Sequence, residues 1–206
     1  MVRAIWCFRS ALVSIVGVLA LAGVVDAGEP RTHDGFFLRL SAGAGAAQTS
    51  EDSEDASLEI SGPSGDVNLA IGGIVAPNFA IHGTIFGWSI ADPEVEITGY
   101  GSGELDGDLS MSAVGVGFTY YFMPANLYIS PSVGVGSMTL DIDGLGDMES
   151  DSGLALELTM GKEWWVGTSW GLGVAAAVGY HSIPDKGTDE KLAGTNVAVR
   201  FSATLN

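Results

Sequence analysis

The sequence predicts an all-β fold: eight antiparallel strands closed into an up-and-down barrel. Three observations carry it. Larger apolar residues alternate with small or polar ones at period two through eight segments of about ten residues. Four-residue turns and long acidic stretches join these segments alternately. Every charge inside the segments, Lys162 apart, falls on the less apolar face.

The first residues are set apart. MVRAIWCFRS carries Arg3 and Arg9, an uncharged run follows from Ser10 to Val25, and Val25-Asp26-Ala27 is a small-x-small cleavage pattern ahead of Gly28. Residues 1–27 read as a secretory signal peptide, residues 28–34 as a short periplasmic segment, and 35–206 as the barrel domain. The single cysteine, Cys7, leaves with the signal. The exported chain is therefore expected to have no disulfide, no thiol nucleophile and no thiolate metal site.

The first strand, Gly35 to Ala47, sets Phe36, Leu38, Leu40, Ala42, Ala44 and Ala46 against Phe37, Arg39, Ser41, Gly43 and Gly45. Asp66 to Val75 gives the second, and the turn Ala76-Pro77-Asn78-Phe79 leads into Ala80 to Ile90. Residues 113 to 136, AVGVGFTYYFMPANLYISPSVGVG, are apolar enough to suggest one helical span, but their interior glycines and prolines disfavour a helix strongly. Split at Met123-Pro124-Ala125-Asn126 they form a hairpin with Val114, Val116, Phe118, Tyr120 and Phe122 on one face. In its second arm the phase slips beyond Ser137, where Met138, Leu140 and Ile142 hold the other parity. Either a bulge or an arm that runs past the membrane accounts for that. Leu154 to Trp165, the run through Leu172 and Tyr180, and the closing run from Asn196 to Leu205 complete the eight.

Lipid outside the ring explains the sorting. The bulky face meets acyl chains and the small, polar face fills a lumen. Phe36, Phe79, Tyr120, Phe122, Trp164 and Trp170 lie near the short turns or the start of the first strand, where a periplasmic aromatic girdle belongs. Lys162, on the apolar side, snorkels to the interface. An even strand number puts both termini in the periplasm and the long stretches outside, so the expected location is the outer membrane.

Charge and hydropathy exclude other classes. Net charge is −17, and 20 of the 25 acids sit in residues 51–66, 92–108, 141–151 and 185–190. That balance argues against nucleic acid as a partner. Mean hydropathy is +0.32, yet beyond the signal no run approaches the ~20 apolar residues of a membrane helix.

The hairpin Gly115-Val-Gly-Phe-Thr-Tyr-Tyr-Phe-Met-Pro, the segment Gly161-Lys-Glu-Trp-Trp-Val and the closing Val199-Arg-Phe-Ser-Ala-Thr-Leu resemble the small bacterial outer-membrane barrels of the OmpA, OmpX and OmpW group. The resemblance covers residues 35–206. It implies a monomer inserted in a Gram-negative outer membrane, with lipid, lipopolysaccharide, periplasmic chaperones and the barrel assembly machinery as partners. Many of the group end in an aromatic residue; this chain ends Leu205-Asn206, so recognition for assembly falls to Phe201 and Leu205.

Four charges are expected to form a lumen network: Arg39 and Arg200, brought together if the first and last strands close the ring, with Glu157 and Glu163 as counter-charges. Phe37, Phe86, Trp88, Tyr121, Tyr128 and Trp165 are expected to fill the interior, because eight strands leave room only for side chains. Asp141, Asp143, Asp147 and Glu149 are possible loop contacts for cations; Leu145 breaks the EF-hand pattern, so no dedicated metal site is expected. No cofactor is expected either. Function reads first as a structural or surface-interaction role with the acidic loops outward. The alternative is a narrow channel for small or hydrophobic solutes through the glycine-lined lumen. A third reading is a lipid A-modifying enzyme built on His181, Ser182 and Asp185; His181 points inward, so the protein is read as no enzyme.

Overall fold

The computed structural model describes residues 32–52, 57–142, 144–186 and 190–205. The signal-peptide assignment, Asp143 and Asn206 lie outside them. In chain order the strands are β1 Phe36–Asp52, β2 Ser57–Ala76, β3 Phe79–Ala91, β4 Glu94–Ile97, β5 Gly101–Glu104, β6 Gly107–Phe122, β7 Leu127–Ile142, β8 Gly146–Glu149, β9 Gly153–Trp165, β10 Trp170–Pro184 and β11 Lys191–Leu205. Eight of them form the wall, in the ring order β1, β2, β3, β6, β7, β9, β10, β11, each antiparallel to the next. The ring closes where β1 pairs β11 from Leu38↔Leu205 to Glu51↔Leu192. Closure satisfies the edge amides, which a lipid environment demands.

The turns form for local reasons. Asn78 and Asn126 adopt φ of 63° and 52°, a left-handed conformation that asparagine tolerates better than most residues; Asn78 ends the two-residue connection between β2 and β3, and Asn126 the four-residue connection between β6 and β7. At the closing seam the inner face of β1 carries Gly43 and Gly45. A Cβ at either would run into the Val199 or Val197 carbonyl of β11, so the wall can bend there only with glycine.

Three findings change the expected pattern. The wall strands are longer than the predicted segments, β1 running on to Asp52 and β2 beginning at Ser57. Residues 57–66 are thus strand rather than loop. The stretch 92–108 contains a small hairpin, with β4 paired to β2 through Ser61↔Glu94 and β5 paired to β4. The expected slip in the fifth wall strand is not a bulge: β7 holds one register against β6 from Ile142 to Leu127, and the recorded shift lies instead in β2, between Ile74 and Ala76.

The reason Met138 and Leu140 fall out of phase is that the code of the wall inverts along its length. Around the ring's turn-proximal part the outside is apolar, with Val67, Ile85 and Val114 each more than half exposed, and the inside carries the buried polar groups. An apolar outer belt on a closed barrel is a membrane-spanning surface. Further from the turns the outward positions become Gln48, Ser50, Ser89, Ser110, Ser137 and Thr139. There the inward positions become apolar: Ile60, Trp88, Ile90, Leu109, Met111 and Met138 form one buried cluster. The outer part of the barrel is thus sorted as a water-soluble barrel is, stacked on a membrane barrel in one continuous wall.

Candidate functional site

The six aromatic residues expected to form the girdle lie on the outer surface at the turn end. Phe36, Tyr120, Phe122 and Trp170 are exposed there, and Phe79 and Trp164 partly so. Tyr120 and Phe122 meet edge-on at 4.9 Å, Phe79 lies 5.6 Å from Phe118, and Lys162 Nζ sits 5.4 Å from the Trp164 ring while donating to the Ala125 carbonyl.

Inside, the lumen is filled from the turn end to the outer mouth. The turn end is stoppered by His33, which sequence reading gave no role. It is completely buried, stacks on Tyr121 at 3.6 Å and lies 4.8 Å from Trp165. Its main-chain N–H donates to Asn78 Oδ1 at 3.1 Å, and its Nε2 is 2.7 Å from Asn126 Oδ1. The two left-handed turn asparagines therefore double as the socket for this side chain. The local signal was only a histidine three residues before β1.

Next come Arg39 and Glu163, which the structure does not join in a direct ion pair. Arg39 on β1 donates to Ser130 on β7 at 2.7 Å, and its guanidinium lies 4.5 Å from the Tyr128 ring and 5.5 Å from Phe37. Ser130 continues through Thr119 to His82 at 2.9 and 3.1 Å. Glu163 accepts from Thr204 at 2.6 Å and from Tyr121 at 3.4 Å. Cation–π contact and hydroxyls, rather than a carboxylate, hold the Arg39 charge.

The middle level is an ion-paired layer. Arg200 on β11 donates through Nε to Asp66 on β2 and through Nη2 to Glu157 on β9. Asn196 donates to Asp66 at 3.0 Å, and Asn68 to Glu157 at 2.8 Å. In an eight-strand ring β2 and β9 are four strands apart in either direction, so the Asn68–Glu157 bond and the Asp66–Arg200–Glu157 bridge cross the full diameter. Of the four charges expected to cluster, Arg200 and Glu157 meet, Glu163 stands apart, and Asp66 takes the place foreseen for a second glutamate. Arg39 and Arg200 are not partners across the seam: Arg39 stands opposite Thr204, and Arg200 opposite Gly43.

Above this layer His181, fully buried, makes a 3.1 Å hydrogen bond with Thr49 and lies 5.7 Å from Trp88 at the base of the apolar cluster. Phe86 and Trp88 fill the outer lumen, as Phe37, Tyr121 and Tyr128 fill the inner one.

The outer end is acidic. β8 folds back on β7 so that Asp141 stands opposite Asp147 and Thr139 opposite Glu149. Among the described residues no group of three or more histidine, cysteine or acidic side chains is placed to hold a metal ion. In the strand extension beyond the belt, a hydrogen bond with Glu190, partial burial, and the charges of Glu190 and Asp185 push the Glu51 carboxyl up from 4.5 to about 7. The folded barrel therefore prefers protonated Glu51. That stabilising contribution is complete below pH 4.5 and is lost as pH rises to about 7. Hydrogen exchange at the Ser50–Ala193 rung, corrected for intrinsic rates, should show more opening at pH 7.5 than at pH 4.5, and Glu51→Gln should flatten the profile. An unchanged profile in that variant would remove Glu51 as the cause.

No protein-family model matches the chain, and no curated protein matches it by sequence. Solved structures do match. Neisserial surface protein A is 13% identical with a TM-score of 0.51, covering 82% of this chain and 96% of its own. OprG from Pseudomonas aeruginosa is 14% identical (TM-score 0.49, 84% and 98% covered), and Ail of Yersinia pestis 12% identical (TM-score 0.48, 82% and 99% covered). Together with the closed ring and its apolar belt, the likeness to the neisserial protein gives the chain the fold of the small eight-stranded outer-membrane barrels.

Proposed function

We propose that the protein is an outer-membrane barrel whose work is done at its acidic outer end, in a structural or surface-interaction role, and not by passage of solute through the lumen. The observation that supports this best is the Asp66–Arg200–Glu157 bridge. It crosses the whole diameter, with Arg200 1% and Asp66 2% exposed. A conducting path has to break two buried ion pairs there, and also pass the His33 stopper and the apolar cluster.

The acidic end bears on partners. Against a lipopolysaccharide surface, shared divalent cations relieve its repulsion, and external cationic groups are attracted. Insertion would proceed through periplasmic chaperones and the assembly machinery, giving a monomer. The lipid A-modifying reading finds little support: His181 is buried in the lumen, and Ser182 takes the next, outward position on β10. The two do not converge on one face.

Refolded protein in a planar bilayer tests the proposal. The expected result is a silent membrane at moderate voltage. Steady, ohmic single-channel steps that scale with protein added would overturn it in favour of the channel.

A further inference from the structure

The inversion of the wall leaves a feature that a surface barrel does not require. At the outer mouth lies a cavity of about 160 Å³. Its body is lined by Ile60, Leu109, Met138 and Leu192, from four wall strands, and its rim by Glu51, Glu149 and Asp185. We infer that this mouth is a binding cup for a small amphipathic ammonium, an alkyl or aryl amine whose apolar body enters the wall and whose cationic head meets the rim. The inference deepens the surface-interaction reading and rests on it.

Size and chemistry set the ligand class. An apolar protein cavity of ~150 Å³ is known to accept benzene, so this one takes a body of about six carbons. Burying such a body against leucine, isoleucine and methionine is favourable by about 25 cal/mol per Å² of apolar surface removed from water. The rim decides the head group. Its three carboxylates come from β1, from β8 and from the residue following β10, while the lysines of this end, Lys186 and Lys191, are exposed and do not line the cavity. A carboxylate or phosphate head meets like charge, and a neutral head leaves that charge uncompensated. An ammonium offsets the negative charge that Asp185 and Glu149 place beside Glu51, whose own carboxyl is raised first by its hydrogen bond with Glu190, then by burial and by the charges of Glu190 and Asp185. The cup is closed below by the buried cluster and the Arg200 layer, so a ligand is held there and not handed on.

The test uses the exported chain in lipid nanodiscs with n-hexylammonium chloride as probe, measured by titration calorimetry against empty discs. Saturable one-to-one binding is expected. Hexanol should bind about tenfold more weakly and hexanoate more weakly still, and the hexylammonium affinity should fall as salt is raised. Glu51→Gln combined with Glu149→Gln should weaken hexylammonium binding by about three- to tenfold, while Glu96→Gln, on β4 and outside the cup, should leave it unchanged. Equal binding of all three probes, or an affinity indifferent to salt, would overturn the inference without any variant, and so would the absence of saturable heat. None of these results touches the bilayer-conductance outcome, so failure of the cup and failure of the surface reading are told apart.

Discussion

Replacing Arg200 with alanine is expected to destabilise the barrel by about 3–5 kcal/mol, because it leaves the buried Asp66 and Glu157 carboxylates facing each other across the lumen without the guanidinium that pairs both. The two carboxylates are held on β2 and β9, on opposite walls, and each keeps an amide donor beside it, Asn196 for Asp66 and Asn68 for Glu157. Urea unfolding in lipid vesicles measures the loss. A companion variant separates the ion pairs from simple packing. Asp66→Asn, Glu157→Gln and Arg200→Met together remove every charge while keeping most of the volume, and should recover most of the stability. A loss below about 1 kcal/mol for Arg200→Ala would mean that the two carboxyls are already neutral in the folded protein.

Placing an arginine at Ile85 should cost about 2–4 kcal/mol, whereas the same residue at Ser110 should cost no more than about 1 kcal/mol. Both side chains point outward, on neighbouring strands: Ile85 stands opposite Val114 in the belt, and Ser110 opposite Ser89 beyond it. The contrast tests where hydrocarbon ends. It is readable from the same unfolding assay and from the protection of each position, as an engineered cysteine, against a water-soluble thiol reagent. Equal costs at the two sites would mean that the outward face above the belt is in lipid after all, and the inversion of the wall would be lost with it.

That inversion also explains what was legible in the sequence. Alternation finds strands wherever one face is uniformly apolar, so the belt segments, the hairpin around Met123 to Asn126 and the inward placement of Arg39, Glu157, Glu163 and Arg200 were readable. Beyond the belt the same alternation continues with the faces exchanged. Met138 and Leu140 therefore looked like a slip of phase, and the acidic parts of β1 and β2 looked like loop.

The site was legible in composition but not in partnership. Which carboxylate meets Arg200 depends on the stagger of the ring, accumulated over the pairings β2–β1, β1–β11 and β9–β10–β11, and no single strand records it. Seam adjacency alone suggested Arg39 beside Arg200, yet the observed register sets them four residues apart along β1, with Gly43 opposite Arg200. His33 was invisible for a different reason. Its role is made by two turn asparagines distant in the chain, and its own neighbours in sequence are polar residues of no pattern.

The height of the wall has an electrostatic consequence. From Ala47 to Asp52 is six residues, and Ser137 to Ile142 is another six. At ~3.3 Å per residue and a tilt of roughly 40°, they raise the crown about 15 Å above the hydrocarbon boundary. The screening length at physiological ionic strength is ≈ 8 Å. The carboxylates of the crown thus stand close to two screening lengths above the hydrocarbon and roughly one above the headgroup layer, near enough to share divalent cations with it, while the potential met by a cation arriving from solution is set chiefly by the protein.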